Sequence, residues 1–307
     1  MKELMLKQRV FKLIDDKNED FMKLGNHLNV VSDIIKQLNK FIDGEVELSN
    51  KGIDELLGIL IQYRVVLDIP IPVDTMLLRG VKFEDPTKYL DKYTNTSRIS
   101  YIPKDISYKA KLNRFNKENQ PMYYGSIAKS ILNANVVFSE IEAKENEFIN
   151  LLVSKTSEEL NVRYIGLFEY YRRGTQPPII VHSFFQEVYD YYKSTHEKEL
   201  LMAIELCDTF FSDITTREGT DRLYMVTAML SNILLEDKQV DGLIYPSVVA
   251  ANEPNLVLKP NSVDAKVRHE NVYIKRLSKD YGYSIYYAIN YNDGNVDKNN
   301  DINWKKP

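Results

Sequence analysis

The segment DIPIPVD, at residues 68–74, divides the chain into two parts with different sequence patterns. Pro70 and Pro72 have no amide hydrogen and a fixed φ, and each disfavours helical backbone at the residue before it. A helix does not continue through such a segment, so it is predicted to be extended. Before it, apolar residues recur every three or four positions, as in amphipathic helices, whereas short aromatic and β-branched runs typical of strands follow it.

The residues before this boundary are predicted to form a helical module at residues 1–70. Helical spacing relates the apolar residues Phe21, Leu24, Leu28, Val31, Ile34, Ile35, Leu38 and Ile42. Gly44 is a plausible stop for this helix, and Ser49-Asn50 provides the polar start of a second one. No cluster of reactive side chains occurs in this module, so we interpret it as a helical cap or docking element.

The remainder predicts an α+β domain at residues 71–290, followed by a polar tail at 291–307 that frays. Strands are predicted for TMLLRGVKF, RISYIP, PMYYGS, VRYIGLFEYY, DGLIYPSVVA and NLVLKP. A helical stretch is predicted from about Ser183 to Leu235. The run VYIKRLSKDYGYSIYYAINY is predicted to close the domain as a hairpin around Asp280-Tyr281-Gly282.

Charge and composition exclude several classes of function. The net charge of −4, from 40 Lys+Arg and 44 Asp+Glu, provides no basic field for nucleic acid. The single cysteine, Cys207, excludes an intramolecular disulfide, and its apolar surroundings predict a small buried side chain. The sequence has no run of about 18 uncharged apolar residues and no signal-peptide core. We therefore expect no membrane association and a cytoplasmic location.

Familiar catalytic motifs are absent from the sequence. The four histidines, His27, His182, His196 and His269, form no i, i+4 metal pair, so no metal site is predicted. There is no GxGxxG or GxxxxGK[ST] phosphate loop and no GxSxG nucleophile elbow. Arg172-Arg173, in YRRGTQPP, is interpreted as a solvated basic turn, with a phosphate or partner contact as the alternative.

Four stretches, taken in order, resemble bacterial RES-domain proteins, a family named after an arginine, a glutamate and a serine. They are LLRGVKF with Arg79, RFNKENQPMYYGS with Arg114 and Tyr124, ANVVFSEIEAK with Glu140, and DGLIYPSVVAANEPNLVL with Ser247. The RFN-x-x-x-x-P-x-x-Y run and the G-x-x-YPS run followed by NLVL are the most specific of these. The resemblance covers most of residues 74–277.

This resemblance implies an ADP-ribosyltransferase-like fold with a central mixed or antiparallel sheet and flanking helices. It also implies a toxin-like enzyme that degrades NAD⁺ by hydrolysis or phosphorolysis, with NAD⁺ as the substrate, phosphate as a potential co-substrate and no bound cofactor. Some members instead transfer ADP-ribose to a protein. Many are paired with an antitoxin that blocks the site.

The resemblance assigns roles to five residues, of which Glu140, Arg79 and Tyr124 form the expected catalytic set. Arg79 and Arg114 are expected to bind the pyrophosphate, because a guanidinium makes bidentate bonds to phosphate oxygens. Tyr124 is expected to stack on nicotinamide and to offer its hydroxyl to ribose or phosphate. Glu140 is expected to accept a ribose hydroxyl and to favour an oxocarbenium-like centre. Ser247 is expected to present its hydroxyl to phosphate or ribose. Asn255, in EPNLVL, is a weaker candidate for a structural contact or a contact at the edge of the ligand.

Several alternatives stay open at this point. The interval from Tyr124 to Glu140 is longer than in compact family members, so Glu142 competes for the carboxylate role. Tyr123 and Tyr124 point in opposite directions on a strand, so only one faces the site, and the family spacing favours Tyr124. The acceptor is water, phosphate or a protein, and a non-catalytic interaction protein of the same fold is a further reading. The N-terminal helices fit a trigger sensor, a homo-oligomer contact or a surface for an antitoxin or other regulatory protein.

Overall fold

The computed structural model describes residues 10–16, 25–64, 68–83, 93–131, 134–179, 183–247 and 254–305. The chain divides into two compact units, each built from two separate stretches. The helical unit comprises Met1–Val66 and Ile165–Ile214, and the sheet unit comprises Leu67–Tyr164 and Thr215–Pro307.

Both units contain α-helices. In chain order they are α1 (residues 10–16), α2 (His27–Ile42), α3 (Asn50–Gln62), α4 (Ala134–Glu140), α5 (Leu167–Arg172), α6 (Ser183–Thr195), α7 (Lys198–Thr216), α8 (Asp221–Leu234) and α9 (Pro260–Lys266). Within the ranges given above, none of them has both the length and the apolar character needed to cross a lipid bilayer.

Within the described residues, the first two helices of the sequence analysis are confirmed as α2 and α3, whereas Phe21 and Leu24 of the predicted first helix lie outside those residues. The apolar face of α2 is buried, and it includes Val31 and Leu38. The second helix, α3, begins at Ser49, whose side-chain oxygen accepts a hydrogen bond from the amide of Gly52 at 3.1 Å. Cys207 is fully buried and its thiol lies 3.2 Å from the carbonyl oxygen of Leu60. The prediction that this cysteine is a small buried side chain is confirmed.

The sheet unit is built on one mixed sheet, which has ten strands in the described part of the chain. The strands are β1 (Asp68–Ile71), β2 (Met76–Lys82), β3 (Tyr123–Ala128), β4 (Phe148–Thr156), β5 (Leu160–Tyr164), β6 (Gly242–Pro246), β7 (Pro254–Leu258), β8 (Val267–Asp280), β9 (Tyr286–Val296) and β10 (Ile302–Trp304). Their order across the sheet is β1-β5-β6-β7-β3-β2-β4-β8-β9-β10. Among the strand pairs of the described residues, β5 and β6 alone are parallel, and the long crossover that parallel pairing requires contains α5 to α8. The α+β class is thereby confirmed.

Both faces of the sheet centre are buried, because successive side chains of a strand point to opposite faces. On one face, α4 packs through Val137 and Phe138 against Leu78 of β2 and Ile149 of β4. On the other face, Leu152 of β4 contributes to a cluster with Ile99, Val272 and Ile302. The strands β2 and β4 are therefore fixed from both sides.

Most predicted strands of the sheet unit are confirmed, including β2, β3, β6, β7 and the closing β8–β9 hairpin. The predicted strand RISYIP is wrong. Arg98 ends a 3₁₀ turn, Thr96–Arg98, whose side-chain cap is Asn95, and the amides of Ile99 and Ser100 both bond to the Thr96 carbonyl, so the chain turns here and residues 99–103 form no strand. VRYIGLFEYY is only half strand: β5 ends at Tyr164, and Gly166, at φ 80°, precedes α5. The predicted long helix is three helices, α6, α7 and α8.

The predicted division of the chain differs from the observed one in two respects. Residues 165–214 belong to the helical unit, so it extends beyond the predicted 1–70 module. Residues 291–305 do not form a frayed tail, since β9 continues to Val296 and β10 pairs with it. The apolar residues Ile302 and Trp304 anchor this segment: Ile302 is buried, and the Trp304 ring nitrogen donates to the Tyr93 carbonyl at 2.8 Å.

Candidate functional site

The candidate site lies where the central sheet forks. Strand β2 pairs with β4 along its whole length from Met76 to Lys82, but with β3 only as far as the Leu78–Ser126 pair. Beyond that pair the two strands separate and leave a cavity of about 580 Å³. Cavities of this size accommodate small molecules and cofactors.

Elements of the sheet unit surround the cavity. The strands contribute Leu78, Arg79, Gly80, Tyr124, Gly125, Ser126, Tyr245 and Asn255, and α4 with its following turn contributes Val137, Ser139, Glu140, Ile141 and Glu142. Loops and α8 add Asn113, Arg114, Glu218, Gly219 and Tyr224. Gly80 permits α4 to approach β2, since a Cβ there would lie 2.5 Å from Cγ1 of Val137.

Arg79 fills the fork between the separating strands. Its Nε donates to the carbonyl oxygen of Ile99 at 3.1 Å, and its Nη1 donates to the carbonyl oxygen of Tyr124 at 2.6 Å, where β2 no longer pairs with β3. The guanidinium carbon lies 5.5 Å from the centre of the Tyr123 ring.

No described carboxylate forms an ion pair with Arg79. Burial lowers the pKa of its guanidinium, and Tyr123, Tyr124 and Tyr245 oppose this shift. Arg79 is half-buried, and a partly desolvated cation without a carboxylate partner is unfavourable, a cost that an anion bound in the cavity would reduce. Its position therefore suits an anionic ligand.

The second arginine, Arg114, is fixed by backbone carbonyls. Its Nη1 donates to Thr215 O and its Nη2 to Arg217 O, each at 2.9 Å. The guanidinium carbon lies 5.5 Å from the centre of the Tyr224 ring, which also lines the cavity. Because both of these bonds go to backbone carbonyls, they hold the Arg114 guanidinium at the cavity wall without neutralising its charge.

Tyr124 lines the cavity, and Tyr123 does not, as the alternation of side chains along β3 predicts. The Tyr124 hydroxyl is already engaged: it donates to Oδ1 of Asn116 at 2.7 Å and accepts the amide of Phe115 at 3.2 Å. A phosphate, which only accepts, therefore finds no donor in this hydroxyl. Tyr124 therefore contributes its aromatic ring to the cavity, together with the one lone pair of its hydroxyl oxygen that is not already used.

The hydrogen bonds of Tyr124 explain the RFN-x-x-x-x-P-x-x-Y spacing in physical terms. Asn116 is buried and also donates through Nδ2 to the carbonyl oxygens of Lys111 and Lys117, at 2.8 and 2.9 Å. Phe115 is buried, and its ring packs on Tyr245 with 4.3 Å between centroids. The motif thus anchors the loop that presents Arg114 to the cavity.

Glu140 lines the cavity, and Ser247, which is not one of the lining residues, contacts Glu140. Ser247 directly follows β6, and its Oγ donates a hydrogen bond to Oε1 of Glu140, the last residue of α4. Glu142 also lines the cavity, but it is exposed and lies at φ 49° in the turn after α4. Because a hydroxyl positions Glu140, the geometry favours it over Glu142 as the functional carboxylate.

Sequence reasoning missed Tyr245 as a cavity residue and ranked Asn255 only as a weaker candidate. Tyr245 is buried, and burial together with the nearby charge of Glu140 raises the pKa of its hydroxyl well above the usual value. That hydroxyl therefore remains a hydrogen-bond donor at neutral pH. The signal was present in the sequence, since Tyr245 lies two residues before Ser247 in the same motif and both adjoin Glu140.

The cavity combines two guanidinium groups with a hydrogen-bonded carboxylate and aromatic side chains. Such a set binds phosphate oxygens, orients a sugar and stabilises positive charge nearby. Among the residues that the structure describes, no three or more histidine, cysteine, aspartate or glutamate side chains are grouped to hold a metal ion.

No protein-family model matches the chain, and no curated protein is significantly similar to it.

Proposed function

We propose that this protein is a RES-type enzyme that breaks NAD⁺ at the bond between nicotinamide and ribose. The observation that carries the proposal is the cavity at the fork between β2 and β3. There Arg79, a half-buried arginine with no carboxylate partner among the described residues, lines the same space as Glu140, which Ser247 holds. The proposal includes an ADP-ribosyltransferase-like fold for the sheet unit, a toxin-like role and a cytoplasmic location.

Pyrophosphate binding by the arginines is the first part of the mechanism. Arg79 and Arg114 have guanidinium groups whose positions are fixed by carbonyl oxygens, so little entropy is lost when they bind a phosphate. Bound in this way, the pyrophosphate fixes the adjoining ribose. Effective orientation of the reacting groups is then the main contribution that binding makes to the rate.

Departure of nicotinamide is the second part. The electron pair of the glycosidic C–N bond leaves with the pyridine nitrogen, so the leaving group is neutral and needs no general acid. The anomeric carbon becomes oxocarbenium-like, and the carboxylate of Glu140 stabilises this charge. Ser247 orients Glu140 through its hydrogen bond. An oxygen of the acceptor then attacks the anomeric carbon, and an acceptor hydroxyl or water releases its proton.

The acceptor is water or phosphate in the leading form of the proposal, and a protein side chain in the alternative form. None of these three acceptors is part of the catalytic set of residues, so the same site serves water, phosphate and a protein side chain. A cell that contains such an enzyme must restrain it, and we propose that an antitoxin-like protein or an assembly through the N-terminal helices does so.

The test is the release of nicotinamide from NAD⁺ by the purified full chain, followed by chromatography with and without inorganic phosphate. Nicotinamide with ADP-ribose indicates hydrolysis, and nicotinamide with a phosphorylated ADP-ribose indicates phosphorolysis. Release only upon addition of cell lysate, together with a protein of raised mass, indicates transfer to a protein. Intact NAD⁺ and no detectable NAD⁺ binding under all three conditions would refute the enzyme and favour a non-catalytic interaction protein.

A further inference from the structure

A row of four side chains crosses the sheet beneath the cavity. The strand register pairs Leu78 with Ser126, Ser126 with Asn255 and Asn255 with Tyr245. Residues paired laterally in a sheet point to the same face. All four line the cavity, so this row forms one continuous wall of it.

Asn255 is the residue in this row whose hydrogen-bonding capacity is not used. It is 2 % exposed, and its Oδ1 accepts a hydrogen bond from the Ser126 hydroxyl at 2.9 Å. Its amide nitrogen, Nδ2, is buried and has no hydrogen-bond partner among the described residues. A primary amide has two donors, and leaving them unsatisfied in a protein interior is unfavourable.

The Ser126 hydroxyl occupies one end of this amide. In the observed orientation it donates to Oδ1, so Nδ2 is the end that is left without a partner among the described residues. The side chain is confined by its burial. Asn255 thus adds a neutral donor to the lining of a cavity whose cations, Arg79 and Arg114, lie on other elements.

We propose that Nδ2 of Asn255 donates to the carboxamide oxygen of the nicotinamide group, and so determines the specificity of the site for this leaving group. This inference rests on the proposed function. The arginines suit the charged phosphate oxygens and Glu140 suits the ribose hydroxyls, whereas a neutral amide suits a neutral carbonyl. Leu78, the neighbour of Ser126 in the row, provides an apolar surface for the pyridine ring.

The test compares Asn255→Leu with the unmodified chain on three substrates. They are NAD⁺, its 3-acetylpyridine analogue, which keeps a ring carbonyl but no amide nitrogen, and an analogue with an unsubstituted pyridine. The ratio of kcat/KM between the two proteins is taken for each substrate, so that differences in intrinsic leaving-group reactivity cancel. We expect a ratio of about five to ten for the first two substrates, the value of one hydrogen bond, and a ratio near one for the third.

Equal ratios for all three substrates would overturn the inference, because the loss would then not depend on the carbonyl. A ratio near one for NAD⁺ would overturn it as well. If the unmodified chain neither binds nor cleaves NAD⁺, the proposed function fails and the inference fails with it. This outcome is distinct, since it appears before any variant is made.

A second variant covers the case in which Asn255→Leu does not fold. Ser126→Ala removes the hydroxyl that holds Oδ1 and frees the amide to rotate, while its own side chain is small and buried. It is expected to show the same dependence on the ring carbonyl with a smaller ratio, about two to three. Thermal unfolding checks that each variant is folded, and a substrate-independent loss in Ser126→Ala would also contradict the inference.

Discussion

Replacing Tyr124 by phenylalanine tests the internal role that the structure gives to its hydroxyl. The hydroxyl bonds two groups of the RFN loop, Oδ1 of Asn116 at 2.7 Å and the amide of Phe115 at 3.2 Å, and both of those residues are buried. The phenylalanine leaves one acceptor and one donor without a partner. At about 1–2 kcal/mol for each, the free energy of unfolding should fall by about 2–4 kcal/mol.

The adjacent Tyr123 provides the matched control. It is fully buried, and its hydroxyl lies near the Ser154 side chain without the geometry of a hydrogen bond to any described residue. Tyr123→Phe removes the same atom from the same strand, but it relieves an unsatisfied group, so stability should be unchanged or higher. Urea unfolding at equilibrium measures both variants. If the two differ by less than about 0.5 kcal/mol, the reasoning on the Tyr124 hydroxyl is refuted.

Three further predictions concern the sheet and the charges within it. Gly242→Ala should destabilise the chain by about 3 kcal/mol or more, because a Cβ there would lie 2.1 Å from the carbonyl oxygen of Val257, which is backbone and cannot rotate away. Its control, Gly58→Ala, meets no atom within 4 Å in the interior of α3 and should stabilise by about 0.5–1 kcal/mol. Burial lowers the pKa of His269 to about 4, so as pH falls the unfolded chain, with a histidine pKa of about 6.5, takes up the proton first. His269 should therefore lower the free energy of unfolding by about 3 kcal/mol between pH 6.5 and 4. Burial lowers the pKa of His196 to about 4 as well, so both histidines contribute in this window, and in urea titrations at several pH values His269→Gln should remove only its own share of the slope. Arg79→Lys should raise the KM for NAD⁺ at least about tenfold, because an ammonium cannot hold two carbonyl oxygens and still present a planar fork to phosphate.

Three results would contradict these predictions. If Gly242→Ala and Gly58→Ala change the free energy of unfolding equally, the close approach of residue 242 to Val257 is not rigid. If His269→Gln keeps the full pH dependence of stability between pH 6.5 and 4, groups other than His269 cause it. For Arg79→Lys, steady-state kinetics with an unchanged KM would show that Arg79 does not bind the substrate.

The strands that carry the site were predictable because their sequence signals are local. A β-branched or aromatic run bounded by turn residues identifies β2, β3, β6 and β7, and the Tyr-Gly turn identifies the β8–β9 hairpin. The C-terminal segment was not predictable in this way. Its polar composition predicts fraying, and only tertiary packing of Ile302 and pairing with β9 give it a regular structure.

The membership of the helical unit depends on contacts that local patterns do not contain. Residues 165–214 are predicted as strand and helix by their own periodicity, but nothing in that periodicity assigns them to the same unit as the first 66 residues. Cys207, for example, reaches its hydrogen-bond partner Leu60 across 147 positions of the chain. Such long-range pairings become visible only in the structure.

The candidate site was predicted where the resemblance marks its residues. The charged residues Arg79, Arg114 and Glu140 stand out in this way, together with Tyr124, and the structure brings all four to one cavity. Tyr245 was missed because a tyrosine in a strand is usually interpreted as a packing residue. Asn255 was only a weaker candidate because the sequence does not show that its amide is buried next to Ser126. Their position in one row with Ser126 depends on the register of four strands, which the sequence does not reveal.

The most direct test of the central claim is nicotinamide release by two variants, Glu140→Gln and Glu142→Gln. Both keep the shape of the side chain and remove its charge, and the two residues lie two positions apart on the same cavity wall. Only Glu140 is held by the Ser247 hydroxyl, so we predict that Glu140→Gln lowers kcat at least about a hundredfold, whereas Glu142→Gln changes it by less than about threefold. Equal activity of the two variants, or loss only in Glu142→Gln, would contradict the account.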